Sequence, residues 1–378
     1  MRRKVHGCHT VVKLRVKDSN ALDCLLAVLR SPERAAEFVG QPPIWDEIKR
    51  LAEVHRFTGH LAWVTSASLP PSEKAWRDRV LMTHHRRHAE RLAALRRLVE
   101  AFAEERITCV SLKGPLLAER FYEQPFLRPA NDLDLLVRES DIGRAGRLMM
   151  TLGFELAGRY PWPLHREVDR HLDFRPTAQL PRVEVHFRLT GGGTFLPANE
   201  FIDRSCSWPS PAGFEGTVLA PADELFCCAV HAANHAFHRV RWLYDTIRIA
   251  RRLTDSERLS VREIAQRHSQ TGYFIAVATA AEHCFGEILA LDTNDFKVPW
   301  LCSRLSARHT KRMITRVEGN TATVAEKIGY RLDLCRMAGT PLDAARLITA
   351  GIDAEFRKRW YSFRNPRKPG LLARTLPE

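Results

Sequence analysis

The chain has 378 residues, 45% hydrophobic and 27% charged, a balance that fits a globular protein with room for two or three domains and a real core. No run approaches the roughly 18 apolar residues needed to span a bilayer, and nine scattered cysteines without a C-x-x-C pair argue against a disulfide framework or a cysteine zinc site. A formal charge of +14 and a pI near 9.7 are compatible with a nucleic-acid partner, a polyanionic substrate, or an arginine-rich surface with evenly spread charge.

The first stretch, MRRKVHGCHTVVKLRVKD, is basic, but Lys13, Arg15 and Lys17 interrupt its apolar run. It lacks the apolar region of a signal peptide, so a cytoplasmic location with no membrane partner is expected. Residues 1–105 form an expected N-terminal helical region. NALDCLLAVL starts at Asn20, a good N-cap, and QPPIWDEIKRLAEVHRF combines a Pro-Pro start with a Trp45, Ile48, Leu51 stripe. A long helix running through HAERLAALRRLVEAFAEE repeats Leu92, Leu95, Val99 and Phe102 at three- and four-residue steps. His84, His85 and His88 on it read as exposed polar positions.

The pattern changes after Glu105, which predicts a core domain over residues 106–215. ITCVSLKG reads as a short strand ending in Gly114, PLLAERFY as one or two helical turns, and DLDLLV as a second strand. SDIGRAGRLMMTLGF reads as a helix capped by Ser140, followed by strands in HLDF and RVEVHF, with TGGGTF as a turn. Strands mixed with helices over about a hundred residues suggest a compact α/β or α+β domain.

Residues 216–378 read as a C-terminal helical region with a basic, aromatic tail. LAPADELFCCAVHAANHAFH has Pro221 in its first turn and Asp223 and Glu224 near the positive helix end. His231, His235 and His238 fall on one helical face, which Trp242 and Asp245 would share if the helix ran on. Ala232 stands where a zincin helix needs Glu, so His231 and His235 read as lining the acceptor side of a cleft or anchoring the helices to the sheet.

Chemistry concentrates in the strands. Alternation puts Asp132 and Asp134 on one strand face and Leu133 and Leu135 on the other. VEVHF repeats the arrangement with Glu184 and His186, so a neighbouring strand could deliver Glu184 as a third carboxylate. Carboxylates this close resist joint ionisation, and a hard divalent cation such as Mg²⁺ relieves the repulsion. Lys113 and Arg128 would add fixed positive charge near phosphates, and Gly114 would let backbone approach one closely. The plainer alternatives are an edge strand whose aspartates face water beside Arg128 or Arg138, and a solvated Lys113 at a strand end.

The ordered set SLKGPLLAERFY, FLRPANDLDLLV, LGFE, HLDF, VEVHFRL, LAPADELFCCAVHAANH and RWLYDTIRIA resembles a bacterial family of uncharacterised nucleotidyltransferases in the polymerase-β-like superfamily. The resemblance covers about residues 20 to 280. It implies an α+β nucleotidyltransferase fold, a small mixed sheet flanked by helices. It also implies that Asp132 and Asp134 bind metal, with Glu184 as the later carboxylate that binds metal or helps deprotonate the acceptor. Where the wider superfamily has Gly-Ser or Gly-Gly, this chain has Lys113-Gly114.

The expected activity is transfer of a nucleoside monophosphate from an NTP, with ATP the expected donor and Mg²⁺ or Mn²⁺ the cofactor, to an unidentified hydroxyl or phosphate acceptor. Such families often lie beside polysaccharide or peptide-natural-product biosynthesis genes, and a sugar, antibiotic, modified peptide or tRNA acceptor stays open, as does the oligomeric state. Lys113, Gly114 and Arg128 are the nucleotide-binding candidates, and His186, His231 and His235 the acceptor-side ones. The alternatives are phosphoryl transfer in the same cleft, or a nucleic-acid-binding or scaffold protein on a degenerate version of the fold.

Overall fold

Alternating apolar and polar residues in DLDLLV and RVEVHF build the centre of a mixed sheet. The computed structural model describes residues 18–39, 41–158, 160–176, 180–191, 194–286, 341–364 and 370–377, with single positions 289, 332, 334, 335 and 337. The basic stretch before residue 18, the glycine pair at the centre of TGGGTF and residues 365–369 of the tail lie outside them. The strands are β1 (Val110–Leu112), β2 (Asp132–Leu136), β3 (Phe154–Ala157), β4 (His171–Pro176), β5 (Arg182–His186), β6 (Arg188–Gly191), β7 (Thr194–Pro197), β8 (Cys206–Ser210) and β9 (Phe214–Val218). Seven of them form one sheet in the order β3-β4-β5-β2-β1-β9-β8, and β6 and β7 form a separate hairpin. β2 runs parallel to β5 and antiparallel to β1, while β1 is parallel to β9. The fold is a mixed α+β architecture, a mixed sheet flanked by helices.

The described helices in chain order are α1 (Asp18–Arg30), α2 (Ala35–Val39), α3 (Pro42–Val54), α4 (Thr58–Val64), α5 (Pro71–Glu104), α6 (Gly114–Phe121), α7 (Ile142–Thr151), α8 (Trp162–Val168), α9 (Ala198–Asp203), α10 (Pro221–Asn234), α11 (Val240–Ala250), α12 (Asp255–Arg267), α13 (Thr271–Phe285), α14 (Pro341–Arg364) and α15 (Leu371–Arg374). Proline supplies an early helical position in α3, α5, α6, α8 and α10, where its missing N–H is no loss. Among the described residues no helix is long and apolar enough to cross a membrane.

Two cores follow from the strand alternation. Leu133, Leu135, Leu172, Phe174, Val183 and Val185 point to one sheet face and join α5 and α7 there. Each such burial contributes about 1.5–3 kcal/mol. On α5 the buried stripe is Ala94, Leu95, Leu98 and Phe102, with Leu92 and Val99 half-buried at its edge. The second core gathers α1, α3 and α4 against α10, α11 and α13, and includes Trp45, Ile48 and Leu51 as the sequence implies. At the far end, residues 371–374 pack against α8 and β3, and Leu376 and Pro377 lie across α7. A Cβ on Gly143 would sit 1.9 Å from the Pro377 carbonyl oxygen, so only glycine lets the segment pass, and Arg147 donates to that oxygen at 2.8 Å.

Several boundaries differ from expectation. Asn20 lies inside α1, which already begins at Asp18, and Ser140 sits in a 3-10 turn so that Asp141 occupies the N-cap of α7. α7 stops at Thr151, because Gly153 turns left-handed (φ 88°) and Phe154, the last residue of the expected helix, opens β3, a strand the sequence reading did not include. β8 and β9 are also additions, and β9 spans the expected boundary at residue 215. His84 is half-buried with its ring bonded to the Phe126 carbonyl, and His85 stacks on the Phe126 ring at 3.4 Å. These histidines fasten α5 to the turn that leads into β2.

His55, fully buried at the end of α3, accepts the Val240 N–H of α11 through Nδ1 at 3.5 Å, and burial pushes its pKa down to about 4. The folded state therefore keeps His55 neutral while the unfolded chain takes up a proton near its ordinary value. Stability is complete above about pH 6.5 and falls toward pH 4, by up to about 3 kcal/mol. Urea titrations across that range should show the loss, and His55→Met should flatten the slope.

Candidate active site

The β2–β5 register fixes the chemistry. Asp132 pairs with Arg182, Asp134 with Glu184 and Leu136 with His186. With alternation, this puts Asp132, Asp134, Glu184 and His186 on the sheet face opposite the α5–α7 core. That face is the floor of a cavity of about 530 Å³, walled by α10, α11 and the loop before β2. All nine residues singled out from the sequence line it: Lys113, Gly114, Arg128, Asp132, Asp134, Glu184, His186, His231 and His235.

Charges on the floor are unequal. Burial, then repulsion by Asp134 and Glu184, raises the pKa of Asp132, and no cation lies within ion-pair distance of it among the described residues. Burial also opposes ionisation of Asp134, but Lys113 and a 3.2 Å contact with His186 Nε2 outweigh it and hold this carboxyl well below the usual range. Glu184 is held at about 2 against burial by His186 and His171, and its other oxygen takes a 3.0 Å ion pair from Arg182. The oxygen-rich donor set with one uncompensated carboxylate fits a divalent cation, which would relieve the repulsion felt by Asp132.

The Lys113-Gly114 turn stands over these acids. Lys113 has φ 51° and ψ −124°, a region that suits glycine, and Gly114 follows at φ 56°. A side-chain-bearing residue held there stores about 1–3 kcal/mol of strain. Its ammonium donates to His231 Nδ1 at 3.0 Å and lies 3.9 Å from Asp134 Oδ2. Burial and the Lys113 charge drive the His231 pKa well below its ordinary value, so the ring is neutral and can accept that bond.

Arg128 is placed differently from a free phosphate ligand. It makes a two-pronged bond to Asp245 at 2.8 and 3.0 Å and donates to the Gly114 carbonyl at 2.9 Å. Its salt-bridge partner is thus Asp245, and neither Asp132 nor Asp134. It works as a bracket that holds the Lys113-Gly114 turn against α11. Tyr122 donates to the same carboxylate at 2.6 Å, and Arg241 Nη1 lies 3.5 Å from it. Burial lowers the Arg241 pKa to about 10, which leaves it charged at neutral pH, and its Nε and Nη1 make no hydrogen bond. One buried carboxylate thus faces two guanidiniums, and the helical wall keeps a net positive charge.

α10 ends at Asn234, and Ala236 and Phe237 follow with φ 45° and 58°. His238 therefore leaves the expected helical face. His231 and His235 keep together, 4.7 and 4.8 Å from the Trp242 ring, because α11 folds back beside them. Asp223 and Glu224 are buried and paired with Arg204 and Arg120, a stronger role than complementing a helix dipole. Sequence reasoning passed over His171, Arg170, Arg239 and Arg241. His171 carried a signal, since HLDF alternates as VEVH does, whereas the arginines were indistinguishable from many others.

Residues 41–286 match the sequence pattern of a family described as an uncharacterised nucleotidyltransferase. The match covers more than half of the chain, and the chain belongs to this family of nucleotidyltransferases. No curated protein matches it.

Removing one partner of a buried ion pair costs about 3–5 kcal/mol. Asp245→Asn, which strands Arg128 and Arg241, should lower stability by that amount in urea titrations. Lys113→Gly relieves the strain of the turn but removes the cation 3.9 Å from Asp134, so the Asp134 carboxyl should titrate at higher pH than in the parent protein, followed by NMR.

Proposed function

We propose that the protein moves a nucleoside monophosphate from an NTP, with ATP as the expected donor, to a hydroxyl or phosphate acceptor and releases pyrophosphate. The observation that carries this reading is the convergence of Asp132, Asp134 and Glu184 on one cavity floor opposite a cationic wall. The polymerase-β-like superfamily, a bacterial source, a cytoplasmic setting and a place in natural-product or polysaccharide biosynthesis belong to the same proposal.

Mg²⁺ or Mn²⁺ would be held by Asp132 and Asp134 with Glu184 as the third carboxylate, supplying positive charge at the phosphoryl oxygens and activating the attacking one. The chain's own residues do the positioning. Lys113 reaches the phosphates from a turn braced by Arg128, and the Gly114 backbone allows close approach. Arg170, Arg239 and Arg241 add charge from the cavity wall. Glu184, held at about 2, stays ionised and is a poor base, so it suits a metal ligand better than a proton acceptor. His186, His231 and His235 border the space for an acceptor, whether a small molecule, a peptide or tRNA.

Incubation with Mg²⁺, each NTP and candidate acceptors should release pyrophosphate and add an NMP mass to the acceptor. An added phosphoryl mass would instead identify a phosphotransferase. Asp132→Asn and Asp134→Asn should each cut turnover by on the order of 10²–10³-fold, and unchanged turnover in both would overturn the reading.

A further inference from the structure

The antiparallel β4–β5 pair puts His171 opposite His186 and Asp173 opposite Glu184. Two imidazoles and a carboxylate thereby meet at the edge of the floor, with His171 Nε2 3.6 Å and His186 Nε2 3.5 Å from Glu184 Oε2. The two rings lie 5.0 Å apart, and one ligand atom from each of the three residues falls within 4.8 Å of the others.

We propose that His171, Glu184 and His186 form a nitrogen-rich site for a divalent transition-metal ion of the Co²⁺ or Zn²⁺ type, beside the aspartate pair. The spacing fits. A cation about 2.1 Å from each ligand separates neighbouring ligand atoms by about 3.0–3.4 Å, close to the two distances from Glu184 Oε2. The ligand chemistry fits as well, because imidazole suits these ions and Mg²⁺ prefers oxygen.

The surroundings complete the site. His171 Nδ1 is buried without a hydrogen bond, 3.5 Å from Asp169 Oδ1, which is the oxygen that receives Nδ1–H once Nε2 is committed to a cation. Asp134 Oδ1 lies 3.2 Å from His186 Nε2 and offers a further oxygen. Glu184 and His186 face the cavity, so open coordination positions point toward the same space as Asp132 and Asp134. The rival arrangement is a proton on His186 shared between Asp134 and Glu184 with no metal involved. The proposal shares Glu184 with the nucleotidyl-transfer reading but stands on the histidines and needs no NTP turnover.

Titrating metal-free full-length protein with Co²⁺, followed by visible d–d absorption, tests it. One Co²⁺ per chain with nitrogen-ligand bands is expected, with calorimetry giving Zn²⁺ and Co²⁺ affinities at least about a hundredfold above that of Mg²⁺. His171→Gln and His186→Gln should each lose the bands while circular dichroism shows a folded chain, and Asp132→Asn should keep them. Bands that survive both histidine variants, or affinity no greater than for Mg²⁺, would overturn the site. Histidine-dependent Co²⁺ binding in a protein that turns over no NTP would support this site while counting against nucleotidyl transfer.

Discussion

Carboxylates packed into a cavity floor have lost much of their water, and everything around this site compensates for that loss. Strand alternation forces Asp132 and Asp134 to the same side, and the parallel β2–β5 register adds Glu184 beside them. Lys113, Arg182 and His186 each offset part of the charge on Asp134 or Glu184, while Asp132 keeps an elevated affinity for protons. The protein leaves one acid without its own counter-charge, which is the condition a metal-assisted site requires.

The opposite wall has the reverse imbalance. Asp245 serves Arg128, Arg241 and Tyr122 at once, so that side of the cavity is short of negative charge. Floor and wall are separately unbalanced and mutually complementary, and a metal with a polyphosphate between them would satisfy both. The arrangement also explains the sequence at the turn. Arg128 holds the Gly114 carbonyl, and that anchor keeps Lys113 in a backbone conformation its side chain disfavours. Strain in the turn and desolvation of the buried ion pair are costs of aiming one ammonium at the acids, and the two apolar cores offset them.

Histidine takes two distinct parts. His55, His84 and His85 join helices to one another or to a turn, far from the acids in sequence. His171 and His186 mix nitrogen with the oxygen donors on the floor, while His231 orients the lysine. The difference lies in the partners: backbone groups and rings for the first set, carboxylates or an ammonium for the second.

Local periodicity made much of this legible. The strand alternation in DLDLLV and RVEVHF, the apolar stripe of α3 and the proline-started helices follow from neighbours a few residues apart, so the sequence alone determined a chain mixing strands with helices, with Asp132 and Asp134 sharing a face. The same logic failed where one residue redirects the backbone, as at Gly153 before β3 and at Ala236-Phe237 after α10. It also could not choose among charges. Arg128 finds Asp245, 117 positions away, because α11 packs beside the turn. His171 reaches Glu184 only through the pairing of β4 with β5. A carboxylate's counter-ion is whichever group the packed elements bring within about 3–4 Å, and that proximity is a property of the tertiary structure alone.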